Sequence, residues 1–240
     1  MKKILYIHQY FKTPEEGGAL RSYHIACEMV RRGMQVEMIT AYNGSKFRKA
    51  VVEGMVVYYL PVAYANDFST WKRYFSFLKF AFAATKLASK VPDIKMVYAS
   101  STPLTVGLVA IWLRWKRKIP YVFEVRDLWP EAPIQLGFIR SPFLKDISTK
   151  LEIAIYKNAK HIVALSPGMA SGVRKKFPTA KITVVPNMAD VAFFDFKTQK
   201  NKEAGHLRLG ILGLLACQTT WILYWKWLRH AYLQGQRSGF

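Results

Sequence analysis

Short apolar runs alternate with longer stretches of helical period over the first 190 residues or so. Runs at 3–7 (KILYI), 51–60 (VVEGMVVYYL), 95–99, 121–125 (YVFEV), 161–165 (HIVAL) and 181–185 (KITVV) have the length and apolar content of buried strands. QVEMIT at 35–40 alternates toward another strand. Between them the period changes. Residues 19–32 place Ala19, Ile25, Ala26, Met29 and Val30 near one side of a helix, and Gly33 after two arginines marks its end. Further helices are predicted over 70–90, from Pro103 to about residue 118, over 142–158 and over 167–176. Strands alternating with helices imply βαβ units and a mainly parallel sheet. The predicted fold class is therefore α/β, a Rossmann-like three-layer domain. In such sheets ligands sit outside the carboxyl ends of the strands. The loops after residues 7, 99, 125, 165 and 185 become the expected walls of a site.

Composition narrows the class. The chain has 240 residues, 51% of them hydrophobic and 15% aromatic, which is enough for a proper core and excludes global disorder. The length corresponds to between one and two domains. Gly (14) and Pro (11) are too few for a collagen-like or low-complexity chain. Two cysteines, Cys27 and Cys217, make no disulfide framework and fit a reducing compartment. Ile4 to Ile7 is too short an apolar stretch for a signal peptide.

Charge changes the picture more. Thirty-six Lys+Arg against fifteen Asp+Glu give a net +21, which points to an anionic partner: nucleic acid, a membrane surface or a phosphorylated substrate. No helix-turn-helix, RRM or OB pattern supports nucleic acid. Lys72, Lys79 and Lys86 recur every seven residues on the predicted 70–90 helix, with Trp71, Tyr74, Phe75, Phe77, Leu78 and Phe82 on its other faces. This pattern suits either an interfacial helix on anionic lipid or a helix packed on the sheet with a solvated lysine edge.

Candidate chemistry concentrates at two loops. In HQYFKTPEEGGALRS, Gly17 and Gly18 precede a helix, so backbone N–H groups can approach a phosphate, and Arg21 can add a charge. The alternative is a loop that needs positive φ. The spacing is not GxGxxG, so no dinucleotide fingerprint is supported. In FEVRDLWPE, residues 123–131, Glu124, Arg126, Asp127 and Glu131 stand at the carboxyl end of an apolar strand. Burying them unpaired is costly, so they face a cleft or pair with one another. A carboxylate there can serve as general base and the arginine can bind phosphate; a structural Arg–Asp pair is the competing reading. Ser166 can cap the helix that Pro167 opens, and it is also retained as a substrate-binding candidate. PNMAD at 186–190 reads as the turn leaving the domain. His8 and His24 look isolated, and neither a metal-ligand spacing, a GxSxG motif nor a P-loop occurs.

Taken in order, ILYIHQYF (4–11), GGALRSYHIACEMVRRGMQVEMIT (17–40), FEVRDLWPE (123–131), IVALSPGM (162–169) and VVPNMADVAFF (184–194) resemble the amino-terminal domain of the family 4 glycosyltransferases of the GT-B fold. The likeness is greatest to bacterial enzymes of surface-polysaccharide assembly, including N-acetylfucosaminyl-transferase-like proteins. The resemblance implies an acceptor-side domain over 1–195, a linker over 196–206, and a remainder over 207–240. It implies retaining transfer of a sugar from a nucleotide-sugar, a co-substrate rather than a bound cofactor, to a polyprenyl-diphosphate-linked or other saccharide acceptor. No metal is implied at the reaction centre. It places the chain in the cytoplasm, peripheral on the inner, anionic face of the plasma membrane. Gly17 and Gly18 would lie near the donor diphosphate, with Arg21, Glu131 and Ser166 as further binding candidates. Many members carry a histidine where this chain has Arg126; Asp127, with Arg126 beside it, is the candidate for the contact to the acceptor or reacting sugar.

A second departure concerns the end of the sequence. LRLGILG at 207–213 resembles the first strand and glycine turn of the donor-binding domain, yet no acid follows Glu203, so the two glutamates of that domain are missing. Residues 207–240 hold Trp221, Trp225 and Trp227 and are read as a short membrane segment (Leu209 to Trp225 are uncharged), an aromatic interfacial helix, or, as the favoured expectation, the product of a shifted reading frame. On that expectation the chain is a truncated transferase, inactive alone; the competing class is a non-catalytic basic module at a membrane surface.

Overall fold

The computed structural model describes residues 2–187, apart from positions 19, 66, 136, 138 and 140. Its elements run β1 (Lys3–Ile7), α1 (Arg21–Arg31), β2 (Gln35–Tyr42), β3 (Arg48–Val52), β4 (Met55–Pro61), α2 (Thr70–Ala88), β5 (Ile94–Ser100), α3 (Val106–Arg117), β6 (Tyr121–Val125), α4 (Glu131–Gln135), α5 (Pro142–Asn158), β7 (His161–Ala164), α6 (Pro167–Lys176) and β8 (Ile182–Val184). One turn of 3-10 helix, Pro14–Glu16, interrupts the loop after β1.

The eight strands form one sheet in the order β3-β4-β2-β1-β5-β6-β7-β8. All neighbours are parallel except β3 and β4. The α/β, Rossmann-like fold read from the sequence is thus the observed one. Both faces are covered, and β1 shows why its run is apolar throughout. Ile4 and Tyr6 point to the core under α1, whereas Leu5 and Ile7 point to the core under α2, α3 and α5. Leu5, Ile7, Phe80 and Leu113 are fully buried, so truncating one to Ala would cost about 2–5 kcal/mol.

Three boundaries differ from expectation. The predicted strand 51–60 is two strands. Glu53 and Gly54 both take positive φ (48° and 76°) and form a two-residue hairpin turn, pairing Val52 with Met55. Pro103 does not open α3. Thr102–Pro103 is a cis peptide, and Val106 and Gly107 donate to the carbonyls of Pro103 and Leu104 three residues back, a tight turn that precedes the α-helix. The helix expected over 19–32 spans Arg21–Arg31 and stops where Gly33 turns to φ 76°. Ser166 caps α6, accepting from Met169 N–H at 3.2 Å, and Arg174, Lys175 and Lys176 occupy its last turn, where cations complement the helix dipole.

The described residues belong to one unit, Met1–Asp190. The expectations for the linker and for residues 207–240 lie outside them. Among the described residues no helix is long and apolar enough to cross a membrane.

Candidate functional site

The strand order reverses at β1, so the loops after β1 and β5 diverge there and open a crevice at their carboxyl ends. His8 follows β1 directly, Ser101 and Thr102 follow β5, and Arg126 and Asp127 follow β6. Topology therefore brings together residues more than a hundred positions apart.

His8 is the residue that sequence reasoning set aside as isolated. It is buried, and both ring nitrogens are engaged. Arg126 Nη1 lies 2.8 Å from Nε2, and Ser22 Oγ lies 2.8 Å from Nδ1. A guanidinium can only donate, so Nε2 must accept and Nδ1–H must donate to Ser22. Burial, with the Arg126 charge adding to it, pulls the imidazole from 6.5 down to about 3. His8 is thus a neutral acceptor that fixes the arginine. Its signal in the sequence was its place, the first residue past the first strand.

Arg126 itself is half-buried. Its backbone N–H donates to Ser101 Oγ at 2.9 Å, and its other guanidinium N–H groups have no protein partner among the described residues. Asp127 is exposed and accepts from Thr102 Oγ1 at 2.5 Å. The two neighbours do not pair with each other: one side chain is held by β1's loop and the other by β5's.

Glu124 is fully buried and belongs to a second network. It accepts from Arg21 Nε (2.9 Å), Tyr98 OH (3.1 Å) and Ser100 Oγ (2.5 Å). Arg21, expected to offer its charge to a phosphate, is committed elsewhere. Besides Glu124, Nη2 donates to the Val185 carbonyl (2.7 Å) and Nη1 to that of Pro186 (2.8 Å) and to Asn187 Oδ1 (3.4 Å). It clamps the final described segment to β6, because a buried carboxylate needs a cation and α1 supplies one.

Gly17 and Gly18 have φ of 65° and 106°, conformations that side chains rarely adopt, so the positive-φ reading of this loop holds. Glu131 is exposed at the start of α4, 3.7 Å from Lys176 Nζ. Ser166 Oγ accepts the capping bond, which leaves its own O–H to donate. Next to the crevice, an open depression of about 430 Å³ is lined by Gln9, Tyr10, Lys12, Tyr42, Asn43 and Tyr64 among others. Asn43 closes its rim by bonding both ways to the Tyr64 backbone, and the amide atoms of buried Gln9 have no partner among the described residues. No group of three or more metal-ligating side chains occurs among the described residues.

Residues 16–188 match the family described as glycosyl transferase 4-like domain. The chain belongs to this family. The glycosyl transferase 4-like domain thus accounts for most of the described residues and contains the Gly17-Gly18 loop, Arg126 and Asp127. No curated protein sequence matches the chain. Among solved structures, sucrose-phosphate synthase from Thermosynechococcus elongatus superposes with a TM-score of 0.59 at 15% identity over 80% of this chain, which spans 49% of that protein's length. A shorter piece of the same synthase, 93% covered, gives 0.54 at 14% identity. At such identity the likeness concerns the fold, and it agrees with the GT-B half expected. Anabaena HepE with UDP and glucose superposes less well, at 0.46 and 14% identity, covering 81% of this chain and 46% of that one.

Proposed function

We propose that this domain is the acceptor side of a glycosyltransferase that moves a sugar from a nucleotide-sugar to a saccharide acceptor carried on a polyprenyl diphosphate, in surface-polysaccharide synthesis. The observation that carries the reading is the Arg126 guanidinium, anchored on neutral His8 at the crevice of the sheet with donors to spare. Such a fork suits a diphosphate, which takes bidentate hydrogen bonds from arginine. Asp127, exposed beside it and oriented by Thr102, accepts from a sugar hydroxyl on this reading. The Gly17-Gly18 loop also follows β1, and the open space where a Cβ would stand at Gly17 supports approach of a ligand to its backbone. The depression lined by Tyr10 and Tyr64 offers aromatic faces for a sugar ring. A polyprenyl anchor keeps the acceptor in a bilayer, so the enzyme works in the cytoplasm against an anionic membrane face.

Binding titrations test the reading. The chain is titrated by calorimetry with UDP-N-acetylglucosamine and with farnesyl-diphosphate-linked N-acetylglucosamine. At least one binds, and Arg126→Met weakens it about ten-fold or more, the worth of one charge-assisted bond or two. Equal binding of both ligands by the parent and by Arg126→Met would remove the diphosphate role.

A further inference from the structure

The sequence left open whether the 70–90 helix packs on the sheet or lies on lipid, and the structure shows which of its faces is buried. Helix α2 buries Ser76, Phe77, Phe80, Ala81, Ala84 and Ala88 against the sheet. Its opposite face is not polar. Trp71 (69% exposed), Phe75 (68%), Leu78 (53%) and Phe82 (75%) stand in solvent at intervals of four, three and four residues. With 3.6 residues per turn, that spacing confines all four to an arc of about 60° and a ridge about 16 Å long. Scattered exposed apolar residues are ordinary, but a contiguous row of four large ones marks an interaction surface. Lys72, Lys79 and Lys86 are all exposed and run along one flank of this ridge, between it and the buried face. No acidic residue lies between Asp67 and Asp93 in the sequence.

We propose that this face of α2 is a membrane-docking surface, which seats Trp71, Phe75, Leu78 and Phe82 at the headgroup–acyl boundary of a bilayer containing anionic phospholipid while the lysine row meets the lipid phosphates. Charge complementarity selects this occupant. A row of cations beside an apolar ridge, unrelieved by any acid on the helix, matches an anionic interface. The ridge is a single convex helix face, the shape a bilayer accepts and a groove-binding peptide does not. The surface stands on exposure and charge alone. Its use for reaching a lipid-linked acceptor rests on the function proposed above.

The test is vesicle co-sedimentation of the full chain with phosphatidylcholine alone and with phosphatidylcholine/phosphatidylglycerol at 3:1. Binding to the mixed vesicles is expected to exceed that to the neutral ones by about ten-fold, and to weaken by a similar factor between 0.1 M and 0.5 M salt. Phe75→Ser with Phe82→Ser, and separately Lys72→Gln with Lys79→Gln and Lys86→Gln, each lower mixed-vesicle binding about ten-fold. All these side chains are exposed, so circular dichroism and melting midpoints stay those of the parent; Phe82→Ser alone, expected to weaken binding in the same direction, serves if a multiple variant fails to fold. Parent and ridge variants that bind equally, a parent that ignores both vesicles, or a parent dimer that the ridge variants dissociate would each overturn the proposal, the last by showing that a second copy covers the ridge. Arg126→Met leaves vesicle binding intact, and the α2 variants leave titrations with UDP-N-acetylglucosamine intact, so the two proposals fail separately.

Discussion

Arg21 and Glu124 lie 103 residues apart and meet at 2.9 Å through Nε and Oε1. The pair joins the first helix of the domain to its sixth strand, and through the guanidinium to the last described segment, Val185 to Asn187. It stands one residue before Val125 and two before Arg126. The strand end that presents Arg126 and Asp127 to the crevice is therefore held from beneath by a buried ion pair, and Arg21 works as a clamp within the protein.

Removing one member of this pair leaves a buried charge without compensation. Arg21→Met is expected to destabilise the domain by about 3–5 kcal/mol, the usual cost of breaking a buried pair. Adding Glu124→Gln to it removes the stranded carboxylate and recovers a large part of the loss. Urea unfolding of the parent, both single variants and the double variant measures the coupling; additive losses would mean that the pair is not a unit.

The layering of the fold was legible in the sequence because every βαβ unit carries its own period, and YVFEV, HIVAL and KILYI have the length and apolar content of buried strands. The hairpin of β3 and β4 was not. Its turn, Glu53-Gly54, interrupts an apolar run by just two residues, and the apolar count ran straight through it. The crevice was half legible. The carboxyl-end rule found the loops, and FEVRD stood out because charges rarely follow a buried strand. Which charge pairs with which depends on contacts across the sheet. His8 with Arg126, Asp127 with Thr102, and Glu124 with Arg21 are all long-range in sequence, and local spacing offered only an Arg–Asp pair, which Arg126 and Asp127 do not form.

His8 supplies a stability signature. Its pKa is lowered from 6.5 to about 3 in the folded protein, so the unfolded chain binds the extra proton between those values. The contribution of His8 is therefore fully present above pH 6.5 and is lost as pH falls toward 3, with a slope approaching about 1.4 kcal/mol per pH unit. Unfolding free energies across pH 3.5–7.5 for the parent and His8→Gln measure it. The variant has a shallower acid decline, and the difference between the two curves closes as pH falls. Parallel curves would mean that His8 is protonated equally in both states.

Gly107 lets α3 lie against α5. A Cβ there would come within 2.3 Å of Ile155 Cδ1 and 2.7 Å of Cγ1. Ile155 is fully buried, so its side chain has no solvent to turn into. The gain in helix propensity of Gly→Ala, about 1 kcal/mol, is outweighed by overpacking, so Gly107→Ala is expected to destabilise by a net 1–3 kcal/mol or so. Ile155→Val removes the nearest atom, and the double variant is more stable than additivity of the two single losses predicts. Thermal unfolding of the four proteins decides this.

Arg126 and Asp127 are adjacent, yet their supports differ, and the proposed function gives them separate roles. Arg126 is fixed by His8 Nε2 at 2.8 Å, while Asp127 is held by Thr102 Oγ1 at 2.5 Å. Arg126→Lys keeps the charge but loses the planar fork, and a lysine carries its charge as a single point. Binding of a diphosphate-linked sugar is expected to fall about ten-fold in that variant, because one of two parallel charge-assisted bonds is lost. Asp127→Asn leaves the diphosphate contact untouched. It weakens binding of the sugar-bearing ligand by a few-fold while binding of farnesyl diphosphate, which lacks the sugar, stays at the parental level. Thr102→Val, which frees Asp127 from its donor without touching its charge, moves the same pair of affinities in the same direction and by less. A loss of farnesyl diphosphate binding in Asp127→Asn equal to that in Arg126→Lys would show that the two residues act as one anion site, and the division of labour between them would be wrong.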